Sequence, residues 1–290
     1  MTEYTQITLE KADGIATITL NRPEKMNAYT RRMGREIMAA MDDIDADDGV
    51  RAVIFTGAGD RAFCAGADLT PEGGGHVFSD PTEVEDLSDP KVRDGGGMLT
   101  LRLFESKKPL ISACNGVAVG VGATMQLAMD IRLASENARY GFVFARRGIV
   151  PEAASSWFLP RIVGISQALE WCYSGRVFDA AEAKAGGLVR SVHAPGTLLS
   201  AARELAREIA QNTSAVSVAM TRAMMWRLMN TDHPMEAHKI DSRAIYRLSR
   251  GADAKEGIAS FLEKRAPDYP AKVSEDMPDF YPWWDERTYS

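Results

Sequence analysis

The sequence predicts an α/β fold in which a sheet-rich core, residues 1–195, is followed by a helical region, residues 196–290. Two observations carry this. Short apolar runs with strand alternation are interleaved with apolar spacings of helical period up to about residue 135, whereas only helical stripes follow Pro195. A third concerns size: 290 residues, 45% hydrophobic and 26% charged, fall in the usual globular range and can bury a substantial core without cross-links.

Ile7 and Leu9 alternate with polar residues, Asp13-Gly14 makes a turn, and Ile15, Ile18 and Leu20 continue, which predicts a β-hairpin. Met33, Ile37, Met41 and Ile44 share a helix face, and Val53, Ile54 and Phe55 form the next strand. Residues 71–97 are acidic, contain two triple-glycine runs and lack apolar periodicity, so they read as a long mobile loop able to cover a site. Residues 110–114 read as a buried strand, 121–129 as a helix apolar all round, and 131–134 as a return to the sheet. Beyond Pro195, Leu198, Ala202, Leu205 and Ile209 make one stripe, residues 216–229 a second, and Ile258, Phe261 and Leu262 a third, with Asp253 and Glu256 spaced as a capping box before the last.

A formal charge of -6 argues against a nucleic-acid partner. Cys64, Cys114 and Cys172 are scattered and odd in number, without disulfide or metal-ligand spacing, so neither a metal nor a bound cofactor is expected and a reducing, cytoplasmic setting fits. No run approaches the roughly 18 apolar residues of a membrane helix, and the N-terminus carries no basic region followed by an apolar stretch, so no membrane association or export is expected.

Two segments are rich in small residues after a strand. In N-G-V-A-V-G-V-G, residues 115–122, backbone N–H groups at a helix start are free to face a ligand, and A-F-C-A-G-A-D-L, residues 62–69, lets the backbone approach a flat or anionic group. Taken alone, each reads more simply as a structural turn.

Together with N-R-P-E-K-M-N-A at 21–28, these segments occur in the order and spacing of the crotonase (enoyl-CoA hydratase/isomerase) superfamily, which the chain closely resembles. The likeness continues through D-I-R-L-A-S at 130–135, Y-G-F-V-F-A-R-R-G-I-V-P-E at 140–152 and E-G-I-A-S-F-L-E-K-R at 256–265. It implies a spiral of ββα units over residues 1–195 and a helical C-terminal region, 196–290, that packs a homo-oligomer, trimer or dimer of trimers. It further implies an acyl-coenzyme A thioester as substrate, whose oxygen accepts hydrogen bonds from the N–H groups matching Ala67 and Val121. Residues Ala65, Gly66, Ala67, Asp68 and Leu69 match the segment that holds the adenine, Gly120 precedes the second donor, and Lys25 matches the region near the coenzyme phosphates, although it is equally a solvated surface charge.

The chain departs from the family where hydratases carry two glutamates: the motifs align Thr124 with the first and Phe144, on the substrate side, with the second. Neither can act as a carboxylate base. Glu152, eight residues beyond Phe144, instead resembles the single catalytic glutamate of peroxisomal-type Δ3,Δ2-enoyl-CoA isomerases, although an acid after Pro151 is also an ordinary first-turn helix residue. The histidines His76, His193, His233 and His238 have no evident Ser or Asp partners, and Glu72, Glu83, Glu85 and Asp86 read as solvated loop charges of which one could swing over the substrate. The resemblance therefore implies, first, a Δ3 to Δ2 double-bond shift in fatty-acid metabolism with Glu152 as base. Hydration of a 2-enoyl-CoA and a non-catalytic CoA-binding or assembly role remain the alternatives.

Overall fold

Alternation at the N-terminus closes into a hairpin of β1 (Ile7–Ala12) and β2 (Ile15–Leu20), and the apolar run after helix α1 (Arg31–Ala46) becomes β3 (Ala52–Gly57), parallel to β2. These elements belong to a computed structural model that describes residues 4–70 and 84–289. The chain then alternates between two sheets. After β4 (Ala62–Cys64) and helix α2 (Gly95–Phe104) come β5 (Leu110–Cys114), β6 (Val117–Val119), helix α3 (Val121–Thr124), β7 (Ile131–Ser135) and β8 (Arg139–Gly141). Helices α4 (Ser155–Val163) and α5 (Ile165–Ser174) lead to β9 (Val177–Asp179), α6 (Ala180–Ala185) and β10 (Ser191–His193).

One sheet has the order β1-β2-β3-β5-β7-β10 and the other β4-β6-β8-β9. After the β1/β2 hairpin, which lies wholly in the first sheet, each consecutive strand pair contributes one strand to each sheet, which is the expected spiral of ββα turns. All strand pairs run parallel except β1/β2 and β8/β9. A parallel sheet covered on both faces needs strands that are apolar throughout, and every residue of β3 and β5 is buried. The strand period of two divides them: Val53 and Phe55 face Met33, Ile37 and Met41 of α1, while Ala52 and Ile54 face the opposite layer.

That opposite layer is helix α7 (Leu198–Asn212), whose Leu198, Ala202 and Ala206 pack on Ile54, Ile111, Ala113 and Leu133. Helices therefore do take over near Pro195, but the first of them is a layer of the core. The buried line runs Leu198, Ala202, Ala206, Ala210, with Leu205 and Ile209 only half-buried, because alanines let the helix axis lie close to the sheet. Helices α8 (Ala215–Arg227), α9 (Pro234–Leu248) and α10 (Ala252–Glu263) follow.

Three expectations are corrected. The reading of residues 71–97 as one long loop fails at its end: residues 71–83 lie outside the described residues, and the glycines at 95–97 open α2, with the Asp94 side chain accepting from the Gly97 N–H as N-cap. Residues 121–129 form one turn of α-helix and then a 3₁₀ turn, Met125–Ala128, rather than one helix. Asp253 and Glu256 form no capping box; Asp253 accepts from the Ala271 N–H at 3.0 Å and Glu256 pairs with Arg265, while Gly251 caps α10. The stripe Ile258, Phe261, Leu262 lies uncovered on the single chain, 63%, 81% and 72% exposed.

The C-terminal end of α2 is fixed by Arg222 of α8. Its guanidinium donates to the carbonyls of Leu103 at 2.9 Å and Phe104 at 2.7 Å and to that of Ser106, and it pairs with Asp130 at 2.9 Å. A buried cation thereby satisfies carbonyls that a helix end leaves open. The Arg222→Ala variant is expected to lose on the order of 3 kcal/mol, because it strands Asp130 and these carbonyls together; chemical denaturation measures this, and a loss under about 1 kcal/mol would contradict it.

Candidate active site

A parallel bridge joins Tyr29 and Ala67: the Tyr29 N–H donates to the Gly66 carbonyl and the Asp68 N–H to the Tyr29 carbonyl, both at 2.8 Å. The residue between these two bonds points its own N–H the other way, so the Ala67 N–H faces away from Tyr29. Val121 is the first residue of α3, where an N–H has no carbonyl one turn earlier. Among the described residues neither N–H has a backbone acceptor. Gly66 (φ +109°) and Gly120 (φ +55°) lie close together, a Cβ on Gly120 lying 4.0 Å from the Gly66 Cα, so the residues that follow them start from neighbouring points of the two segments. Valine at 121 costs the arrangement nothing, because the donor is main chain.

Glu152 does not lie in the first turn of α4, which begins at Ser155. It precedes two consecutive alanines in the left-handed region, Ala153 at φ 59° and Ala154 at φ 52°, a conformation costing on the order of 1 kcal/mol or more per residue. The surroundings hold it there: the Ala153 N–H donates to Asp94 Oδ1 at 3.1 Å, and Thr100 Oγ1 donates to the Ala153 carbonyl at 2.9 Å. This turn directs the Glu152 side chain inward, where Oε1 accepts from Thr124 Oγ1 at 2.6 Å. A Cβ on Gly96 would sit 1.9 Å from Glu152 Oε2, so the first turn of α2 has to lack a side chain there.

Burial, together with the charge of and hydrogen bond to the Asp94 carboxylate, raises the Glu152 pKa to about 8 against the opposing hydroxyl of Thr124. Glu152 is thus mostly protonated at neutral pH and exchanges its proton close to it. Burial and the same carboxyl raise the Tyr29 phenol above its usual range, and its O–H donates to the Gly95 carbonyl at 3.2 Å.

Of the residues singled out in the sequence, Ala67, Gly120, Val121, Thr124 and Glu152 come together. Asp68 is buried, with its carboxylate on Arg22 at 2.8 Å and on the Thr70 hydroxyl at 2.7 Å. Burial alone would raise this carboxyl, but the bonds from Thr70 and Arg22 hold it below the usual range. The 65–69 segment therefore offers a ligand its backbone and Leu69, which is 61% exposed, rather than the Asp68 side chain. Lys25 is exposed on the 3₁₀ turn Pro23–Lys25, beside a cavity of about 230 Å³ lined by Pro23, Glu24, Met26, Gly59 and Arg61. Phe144 is buried at the start of another 3₁₀ turn. Glu72 and Glu83 lie outside the described residues, and Glu85 and Asp86 are exposed. His193 Nε2 stands 2.7 Å from Ser191 Oγ, a contact two residues apart on β10 that the sequence reading did not pick out. Among the described residues no group of His, Cys, Asp and Glu is placed to hold a metal, the three cysteines are free, and no helix is long and apolar enough to cross a membrane.

Sequence reasoning missed Asp94, Gly96 and Thr100, and gave Thr124 no part beyond its inability to act as a base. The available signal was Leu99 and Leu103 at helical spacing behind an Asp, which marks a capped helix even when three glycines open it.

Comparison with known proteins bears on the family and the fold. A family model described as enoyl-CoA hydratase/isomerase matches residues 10–272. The chain is 42% identical to the Alternaria alternata enoyl-CoA hydratase ACTT3 over 91% of its own length and 86% of that protein's. It is 33% identical to the Escherichia coli 1,2-epoxyphenylacetyl-CoA isomerase, over 94% of this chain and all (100%) of the relative. Among solved structures, a probable enoyl-CoA hydratase/isomerase from Mycobacterium abscessus superposes with a TM-score of 0.83 at 32% identity, covering 92% of this chain and 99% of that one.

The raised pKa has a consequence for stability. In the unfolded chain Glu152 ionises near the ordinary glutamate value of 4.5, and in the folded protein only near 8. This group's contribution is therefore fully present below about pH 4.5 and is lost as pH rises through 8. The Glu152→Gln amide is able to accept from Thr124 and donate to Asp94 without ionising. Its unfolding temperature, relative to the parent protein, is expected to rise steadily between pH 5 and 8; a difference constant with pH would contradict the assignment.

Proposed function

We propose that this chain, which belongs to the enoyl-CoA hydratase/isomerase family and is an enzyme of it, shifts a double bond from the Δ3 to the Δ2 position of an enoyl-CoA, with Glu152 as the proton carrier. The observation that carries this reading is the inward carboxyl of Glu152, bonded to Thr124 on the short helix that opens at Val121, whose pKa of about 8 suits both halves of a proton transfer. As base, ionised Glu152 takes a proton from the carbon between thioester and alkene. The electron pair moves onto the thioester oxygen, which accepts from the Ala67 and Val121 N–H groups, each such donor being worth on the order of 10²–10³ in rate. Protonated Glu152 then returns the proton to the far alkene carbon, while the Thr124 hydroxyl and the Asp94 carboxylate fix its position. Likeness in this turn to the peroxisomal-type isomerases fits the reading.

The coenzyme is read as lying along the 65–69 backbone, with Lys25 and Arg61 near its phosphates and Phe144 on the acyl side. Hydration is the second reading. Relatives named enoyl-CoA hydratases favour it, as does Asp94, a second carboxyl within hydrogen-bonding reach of Glu152. The exposed Ile258, Phe261 and Leu262 support a homo-oligomer, trimer or dimer of trimers.

Glu152→Gln is expected to lower kcat for 3-enoyl-CoA to 2-enoyl-CoA conversion on the order of 10²-fold or more while leaving CoA binding largely intact. Because the base must be ionised, kcat/KM of the parent enzyme should rise with pH through about 8. Thr124→Val, which removes the bond favouring the carboxylate, should move that limb to higher pH with a much smaller loss of rate. Near-parental isomerisation by the Glu152 variant would remove the assignment, and brisk hydration of 2-enoyl-CoA without isomerisation would favour the second reading. Light scattering should give a multiple of the 31.7 kDa chain; the single-chain mass at micromolar concentration would refute the oligomer.

A further inference from the structure

The family match ends at residue 272, yet the chain continues in an ordered path to residue 289. Its course follows α2. Phe280, Tyr281 and Trp283 pack on the cluster formed by Val216, Met220 and Ala244, which anchors the tail to α8 and α9. Trp284 stacks on the Arg227 guanidinium at 3.6 Å, and the same guanidinium lies 4.9 Å from the ring of Phe104, the last residue of α2, while pairing with the adjacent Glu105. At the other end the Tyr289 ring receives Arg93 at 5.6 Å, and Arg93 immediately precedes Asp94, the N-cap of α2. The lengths agree: the ten residues of α2 rise about 15 Å, and the five-residue step from Trp284 to Tyr289 spans up to about 17 Å when extended.

We propose that the C-terminal segment, residues 280–289, is a strap that positions α2, and through it the Asp94 and Gly96 seat of Glu152, with Trp284 and Tyr289 as its two points of attachment. These are positioning residues, acting through Arg227 and Arg93 on the two ends of a helix whose first turn touches the Glu152 carboxyl. Arg222 holds only the C-terminal end of that helix, from α8. The N-terminal end, where Asp94 accepts from the Ala153 N–H and Gly95 from the Tyr29 O–H, receives a further restraint from the tail. The inference rests on Glu152 being the proton carrier only where turnover is the readout.

Trp284→Ala, Tyr289→Ala and a chain lacking residues 283–290 test it, with Trp284→Phe, which keeps a ring on Arg227, as the conservative control. Amide hydrogen exchange at Gly97 and Ala153, the two N–H groups bonded to Asp94, should accelerate about 10-fold or more in the first three and not in the control. In the same three, kcat for isomerisation should fall about 10-fold with KM little changed, since a small misplacement of a reacting group is costly. The ascending limb of the pH profile should also move below pH 8, because a loosened seat admits water to Glu152. A tail that is only structural would lower the melting temperature and leave exchange at these two amides and the pH limb unchanged; that result overturns the proposal, as does a fall in kcat without faster exchange. If the shortened chain does not fold, the two point variants decide on the same criteria. Faster exchange alongside full activity in Glu152→Gln would uphold the strap and remove the catalytic reading instead.

Discussion

The arrangement depends on one half-buried, inward-facing carboxyl. Glu152 sits between the Thr124 hydroxyl on α3, the Asp94 carboxylate at the start of α2 and the bare backbone of Gly96. An ionised side chain in such a place costs several kcal/mol unless it is paired with a cation, and here its neighbours are a hydroxyl and a second acid. The site's answer is to keep the proton, which places the pKa near the pH at which a proton is easily lent and recovered. Much of the local structure serves this: Gly96 gives the carboxyl room, Asp94 both caps α2 and accepts a hydrogen bond from the Glu152 carboxyl, and the left-handed alanines turn the chain so that Glu152 faces inward.

The fold was largely legible from the sequence because its elements obey the two periods that side-chain burial imposes. The hairpin, the continuously apolar β3 and β5 and the face of α1 all fell where alternation and helical spacing put them. The failures have a common cause. Glycine has no side chain with which to declare a helix face, so the start of α2 looked like loop; alanine declares one weakly, so the buried line on α7 was shifted by one residue toward the larger leucine and isoleucine. The Asp253 and Glu256 spacing of a capping box was present, but tertiary partners, the Ala271 N–H and Arg265, took both side chains.

The site was legible in part for a different reason. The roles proposed for Ala67 and Val121 use main-chain groups, so such positions are recognisable only from the small residues around them, and two separate segments had to be read together before either carried meaning. Glu152 was legible by elimination, since Thr124 and Phe144 removed the usual carboxylates. What elimination does not supply is partnership. Thr124 occupies a position where a hydratase has an acid and here donates its hydroxyl to the acid that has moved, which no property of a lone threonine announces. Asp94, 58 positions upstream of Glu152, becomes its neighbour only because α2 packs beneath the strained turn, with Thr100 and Asp94 both bonded to Ala153.

Strain and proton affinity are linked through that turn. Ala153 and Ala154 hold positive φ angles that alanine avoids, and the bonds from Thr100 and to Asp94 are what keep them there. If those bonds slackened, the turn would relax toward ordinary backbone, the Glu152 carboxyl would swing toward water, and its pKa would fall toward that of a free glutamate. A carboxylate of ordinary pKa is a weaker base, and its conjugate acid returns the proton to carbon only after recapturing it from solvent. The proton affinity is thus a property of the whole seat rather than of one residue, and the seat is as firm as helix α2 is fixed. That helix is held by Arg222 at its C-terminal end and flanked at both ends by cation and aromatic contacts with the tail, and the strap proposed above would give residues far from Glu152 in sequence a share in setting when it gives up its proton.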